Sequence, residues 1–257
     1  MIPISDDNPT LRTPIVTYLL LGAIGATWVF VQGAGLNVLA LVSSICHYGL
    51  VPGELTGQAP VGLEVPLSDD LSCVVDRNPI NLFTPLTSMF LHGSWSHILG
   101  NCLFFWVFGN NVEDSMGRLR FIVFYIVCGL AAAAAQVLVD PASPVPMVGA
   151  SGAISGIMGA YLLLYPRVRV NMLFIFIIII RIIPLPAWLV LLYWFGLQVV
   201  AGLPQLDPLN AKVSSGVAVW AHVGGFVAGL VLVKLFENPN LTSRRTTYRH
   251  RYHPDHP

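Results

Sequence analysis

Two serines stand four residues apart in the run MVGASGAISGIMGAY, at Ser151 and Ser155, and a histidine, His222, stands in the run WAHVGGFVAGL. A hydroxyl beside an imidazole is the minimum equipment for nucleophilic acyl transfer, the ring taking the proton as the oxygen attacks. Helical spacing of four puts both hydroxyls on one face, so their surroundings have to separate them. Ser151 is flanked by Gly149 and Gly152 at the expected start of a helix, where backbone N–H groups lack intrahelical partners and bind an anion. Ser155 lies one turn deeper, where its N–H is used by the helix and its hydroxyl can bond back to a carbonyl. Local physics therefore favours Ser151 as nucleophile and Ser155 as a small packing neighbour.

A third polar run, HGSWSHILGN, supplies His92, His97 and Asn101. His97 and Asn101 share a helical face, and a neutral imidazole N–H and an amide N–H both suit a developing oxyanion. Interhelical hydrogen bonding, worth about 1 kcal/mol in a membrane, is the alternative use. His92, at a loop–helix junction, is placed to hold the loop or water. A histidine alone on an apolar helix is more often a packed core residue. Gly225 and Gly229 follow His222, however, and Gly152 and Gly156 follow Ser151. Small residues at that spacing let two membrane helices approach closely. No Asp or Glu lies in either helix, so a base held by packing is expected, a Ser–His dyad. HExxH is absent and no carboxylate joins His92, His97 and His222, which makes a metal centre the weaker reading. No metal and no cofactor is required, and no phosphate loop or nucleic-acid module is visible.

The elements that must carry these groups are membrane helices. The 257 residues are 55% hydrophobic and 10% charged, against roughly 25% charged in an ordinary soluble domain. Charge-free runs cover 13–53, 78–112, 121–139, 141–166, 182–206 and 213–233, each longer than the ~17 residues a crossing helix needs. Six spans are expected, near 14–32, 96–112, 119–139, 149–165, 186–202 and 216–236. The fold class is an all-α polytopic bundle: a segment 1–13, a six-helix domain 14–236 with a long external loop 33–95, and a disordered tail 237–257 that is basic and His-rich. The apolar run at Asn171–Ile183 contains Arg181, and its stretch Met172–Ile180 is too short to cross as a helix, so an interfacial or partly buried segment entering the fifth span is expected there.

With both termini on one side, eleven of the thirteen Lys and Arg fall on that side, and only Arg77 and Lys212 on the other. The positive-inside rule then makes both termini cytoplasmic in a plasma membrane of bacterial type. Cys46 and Cys73 lie in the external loop, where a disulfide is possible but spacing alone does not decide it; Cys102 and Cys128 read as packing thiols.

Taken together, H92-GSWS-H97-ILG-N101, G149-A-S151-G152 and A221-H222-VG-G225-FVA-G229, in that order among six hydrophobic helices, resemble the rhomboid family of intramembrane serine proteases over residues 80–236. The resemblance implies Ser151 as nucleophile, His222 as general base, and His97, Asn101 and the Ser151 N–H as the oxyanion hole, with His92 in the polar cluster. It implies transmembrane protein substrates, entering near the second and fifth spans, and lipid as the surroundings. The sequence departs from many members at Ser155, where they carry a Tyr that packs on the catalytic His, and in an external loop without a Trp-Arg pair. A catalytically weak relative that binds membrane clients is the other reading.

Overall fold

The computed structural model describes residues 2–68, 70–176, 179–206 and 218–242. Its framework is seven helices among the described residues, besides single turns. They are α1 (Ile15–Ala26, continued by a π turn at Thr27–Val31), α2 (Val38–Tyr48), α3 (Trp95–Met116), α4 (Arg118–Val139), α5 (Ser151–Leu164), α6 (Ala187–Gly202) and α7 (Val219–Phe236). By length and composition three stretches suffice to cross a membrane: Arg118–Val139, Ala187–Leu206 and Val219–Phe236. Ile15–Val31, Val38–Tyr48 and Ser151–Leu164 are shorter apolar helices. The six expected spans thus reduce to three on this criterion, and the reasons are local. The helix α5 stops after 14 residues, while the 22 residues of α3 include His97, Asn101, Asn110, Asn111, Glu113 and Asp114, which lower its mean hydropathy.

The all-α expectation needs correction at two places. Arg169–Phe176 (β4) and Ile179–Pro186 (β5) pair antiparallel from Arg169↔Pro186 to Phe176↔Ile179, where an interfacial segment was expected. Ile2–Asp6 (β1) adds to the other edge of β4, giving the order β1-β4-β5. The run NMLFIFIIIIRII is rich in β-branched residues, which suit a pleated strand better than a helix. Pro184 and Pro186 are tolerated because β5 is an edge strand. A second, two-stranded sheet joins Glu64–Pro66 (β2) to Ser72–Val74 (β3) in the long loop.

The two sheets mark opposite ends of the bundle. At one end the segment 2–14 is docked by buried carboxylates of α3. Glu113 accepts the Val16 and Thr17 N–H groups at 3.0 and 2.8 Å, capping α1 from a distant helix. Asp114 accepts from the Leu11 N–H and from Arg12 Nε, and Asp6 accepts from Asn111 Nδ2 and the Tyr161 hydroxyl. At the other end Cys46 of α2 and Cys73 of β3 form a disulfide, Cα–Cα 5.2 Å. Leu50 and Met147 exchange backbone hydrogen bonds of 3.0 and 2.8 Å, tying this loop to the segment that leads into α5. Just past α7 the Asn238 N–H donates to Ser115 O at 3.0 Å. Residues 243–257, where most of the expected disorder falls, lie outside the described residues.

Helices α5 and α7 touch through backbone. A Cβ on Gly225 would lie 2.0 Å from Gly152 O, one on Gly229 1.9 Å from Gly156 O, and one on Gly159 2.2 Å from Phe226 O. Helix α4 closes on the same pair, because a Cβ on Gly152 would meet Ala132 Cβ at 2.6 Å and one on Gly156 would meet Cys128 Cβ at 2.5 Å. Backbone atoms cannot yield as a flexible side chain does. Gly229→Ala should therefore cost about 3 kcal/mol in reversible unfolding in micelles, whereas Gly196→Ala, with nothing within 4 Å, should change stability by less than about 0.5 kcal/mol.

Candidate active site

The chain enters α5 through Gly149, whose φ of +129° is a conformation L side chains rarely adopt. Its N–H is held by Ser88 O at 2.9 Å. Ala150 forms the N-cap and Ser151 the first helical residue, so the Ser151 N–H has no partner within the helix. The Ser155 hydroxyl donates to Ser151 O at 2.6 Å. It is thereby occupied, and it lies buried one turn below.

From α7, His222 Nε2 lies 2.8 Å from Ser151 Oγ. The approach follows from the glycine contacts, since Gly225 packs one turn below His222 against Gly152, directly after Ser151. The first turn of α7 is further fixed by the Ala221 N–H, which donates to Gln136 Oε1 of α4 at 3.3 Å. The other ring nitrogen, His222 Nδ1, lies 2.8 Å from Gln198 Oε1 of α6. Trp194, one turn earlier on α6, packs on the imidazole with centroids 5.8 Å apart and planes tilted by 44°. Neither Gln198, Trp194 nor Gln136 is a candidate from sequence. A lone amide in the charge-free helix 187–202 was the available signal for Gln198, because a polar group in a membrane helix needs a partner.

His97 faces Gly149 from α3. A Cβ on Gly149 would fall 2.8 Å from His97 Nε2 and 3.5 Å from Ser151 Oγ, so glycine keeps open the space between them. The Gly93 N–H points to His97 Nδ1 at 3.4 Å, an arrangement in which Nδ1 is the acceptor and Nε2 carries the proton toward that space. Asn101 donates one amide hydrogen to His97 O at 2.9 Å and keeps a second. His97, Asn101, Ser151 and His222 all line one cavity of about 670 Å³, with Leu41, Val42 and Ile45 of α2 on another part of its wall.

His92 stands behind this group and is not on the cavity wall. Its backbone is clamped by Gln32, which accepts the His92 N–H at 2.9 Å and donates to His92 O at 2.8 Å. Its ring is fully buried edge-on to His97, centroids 5.0 Å apart. Burial, and after it the neighbouring His97, lower the His92 pKa to about 3, so the ring is neutral at physiological pH. Among the described residues no three His, Cys, Asp or Glu side chains converge as a metal site. The glycines serve two purposes, since Gly152, Gly156, Gly225 and Gly229 allow helix contact while Gly149 shapes the site itself.

A Rhomboid domain model matches residues 80–238. The rhomboid protease GluP of Bacillus subtilis (strain 168) is 39% identical over 77 residues, 30% of this chain and 15% of that protein. Rhomboid-like protein 11, chloroplastic, of Arabidopsis thaliana is 28% identical over 155 residues, 58% of this chain and 51% of that one. RHOMBOID-like protein 1 of the same plant is 28% identical over 184 residues, 71% and 41% respectively. The chain thus spans about half or less of each of these relatives.

The geometry at Gly149 generates a test. Gly149→Ala puts a methyl group between His97 Nε2 and Ser151 in a strained backbone conformation. The rate at which a fluorophosphonate probe labels Ser151 should fall by about 10²-fold, as when an oxyanion donor is lost. Gly25→Ala, on α1 away from the cavity and with nothing within 4 Å, should label at the parental rate.

Proposed function

The chain belongs to the rhomboid family, and on that premise we propose that it is an intramembrane serine endopeptidase, hydrolysing peptide bonds of transmembrane protein substrates with a Ser151–His222 dyad. The observation that carries this reading is the 2.8 Å contact between His222 Nε2 and Ser151 Oγ, at a helix start whose leading N–H groups are free. As Ser151 Oγ attacks the scissile carbonyl, its proton passes to His222 Nε2; the same ring then protonates the leaving amine. The oxyanion is received by the Ser151 N–H, His97 Nε2–H and the spare Asn101 N–H, donors preset before charge develops. Water then hydrolyses the acyl-enzyme, with His222 again as base.

The membrane arrangement that suits this chemistry has six crossings, α1 with its π turn and α3 to α7. The short α5 reaches only partway, so Ser151 sits below the bilayer surface and is reached by water through the cavity. Arg12, Arg118, Arg120, Arg167 and Arg169 gather at the end with β1, β4 and β5. The disulfide lies at the Ser151 end, and disulfides persist in oxidising surroundings. Both features support cytoplasmic termini and an active site opening outward.

Two measurements test these statements. On a generic transmembrane substrate, Ser151→Ala and His222→Ala should each abolish cleavage, while Ser155→Ala, which removes only a hydroxyl bonded back to its own helix, should keep most of it. Cleavage that persists in Ser151→Ala overturns the dyad. In intact cells a membrane-impermeant thiol reagent should label Glu64→Cys and leave Arg167→Cys unlabelled until the membrane is opened. The reverse pattern would turn the site toward the other compartment.

A further inference from the structure

We propose that Gln198 is a positioning residue for His222: its side-chain carbonyl accepts the Nδ1–H and fixes the imidazole in the tautomer whose Nε2 lone pair faces Ser151. The inference rests on the serine endopeptidase reading above and adds a third, uncharged member to its dyad.

A neutral imidazole carries one proton, and the nitrogen without it is the base. His222 is bridged at both nitrogens, to Ser151 Oγ by Nε2 and to Gln198 Oε1 by Nδ1, each at 2.8 Å. If Nε2 held the proton, it would donate to the serine oxygen and could not accept from it. An amide oxygen at Nδ1 favours the productive form, because it accepts a hydrogen bond from Nδ1–H and has no hydrogen of its own to donate. As Ser151 Oγ bonds to the carbonyl carbon, the serine proton moves to Nε2 and the Nδ1 proton stays on the ring. The positive charge then formed is shared with the Gln198 carbonyl dipole. When Nε2 gives its proton to the leaving amine, the ring returns to the same tautomer.

Position supports the assignment. Residues 187–202 read AWLVLLYWFGLQVVAG, in which Gln198 is the single side chain neither aliphatic nor aromatic. An unpaired amide in a membrane helix is costly, and here the partner it finds is the candidate base. Trp194 lies four residues earlier, on the same face of α6, and packs on that ring. One helix therefore supplies both the surface that limits ring rotation and the acceptor that sets its proton. The surroundings explain why an amide serves in place of a carboxylate. Among the described residues the titratable group facing His222 is His97, from α3; α5 brings Ser151 and α4 brings Gln136, neither charged. A carboxylate at position 198 would be a buried charge at rest, with a desolvation penalty that an amide avoids.

The test uses the full chain in micelles, a generic transmembrane substrate and a fluorophosphonate probe. Gln198→Met keeps length and removes the acceptor; Gln198→Glu keeps the acceptor and adds charge. Gln198→Met should lower kcat and the labelling rate about 10- to 100-fold, with KM and the melting temperature little changed. Gln198→Glu should recover most of kcat, and the pH below which its activity fails should rise by about one unit, since a carboxylate stabilises the protonated ring. Parental kcat and labelling in Gln198→Met would overturn the role of Gln198 while leaving the endopeptidase reading intact. So would equal losses in both variants with lowered melting temperatures, which would mark a packing role. Absence of any Ser151-dependent labelling in the parent would overturn the reading beneath it, and the proposal with it.

Discussion

Everything at the site depends on how closely the backbones of α5 and α7 approach. Where Gly225 and Gly229 face the carbonyls of Gly152 and Gly156, a single methyl group would overlap an oxygen. The two helices therefore meet main chain to main chain, with Ser151 directly before Gly152 and His222 one turn before Gly225. Their hydrogen bond needs no flexible arm to search for it, because the reach of each side chain matches the gap the glycines leave. A packed core does not deform continuously, so this gap is a property of the whole bundle, shared by α4 through Ala132 and Cys128.

The remaining framework holds that contact from both ends. At the sheet end, buried carboxylates of α3 cap α1 and hold the N-terminal strand, so charges that would be costly in an apolar bundle are consumed by backbone donors and an arginine. Tyr161 of α5 reaches Asp6 of β1, which links the helix of Ser151 to the three-stranded sheet. At the other end the disulfide holds α2 against β3, and the Leu50–Met147 pairing leads the chain into Gly149. Gln32, at the end of α1, clamps the backbone of His92, and the His92 ring supports His97. Polar groups in this molecule are mostly arranged in series, each fixing the next one inward.

The same logic bears on Ser155. The ring packed on His222 comes from Trp194, on a different helix from Ser151 and Ser155. Ser155 can then be small, buried and bonded to the carbonyl of Ser151, leaving α5 free to lie against α7 along its glycine face. The support for the imidazole comes from α6, through Trp194 and Gln198.

The sequence by itself determined the membrane character, the order of the polar runs, the helix start at Ser151 with Ser155 one turn deeper, and the small-residue faces. Each of these is a local property: composition, helical spacing, or the unpaired N–H groups at a helix start. It also located the apolar run at Asn171–Ile183 without its conformation, since a strand in that run is stabilised by pairing with Ile2–Asp6, some 170 residues away in the chain. The partners of His222 were hidden for the same reason. Gln198 and Trp194 lie on a helix whose rotation about its axis no spacing rule specifies, and they face the imidazole only because α6 is docked on α7 through contacts such as Trp220 to Gly202 and Phe195 to Phe226. Whether Cys46 and Cys73 meet was likewise a matter of Cα geometry, which the loop acquires when it folds over the end of the bundle. Chemistry carried within one helical turn was legible in the chain; chemistry shared between helices required their packing.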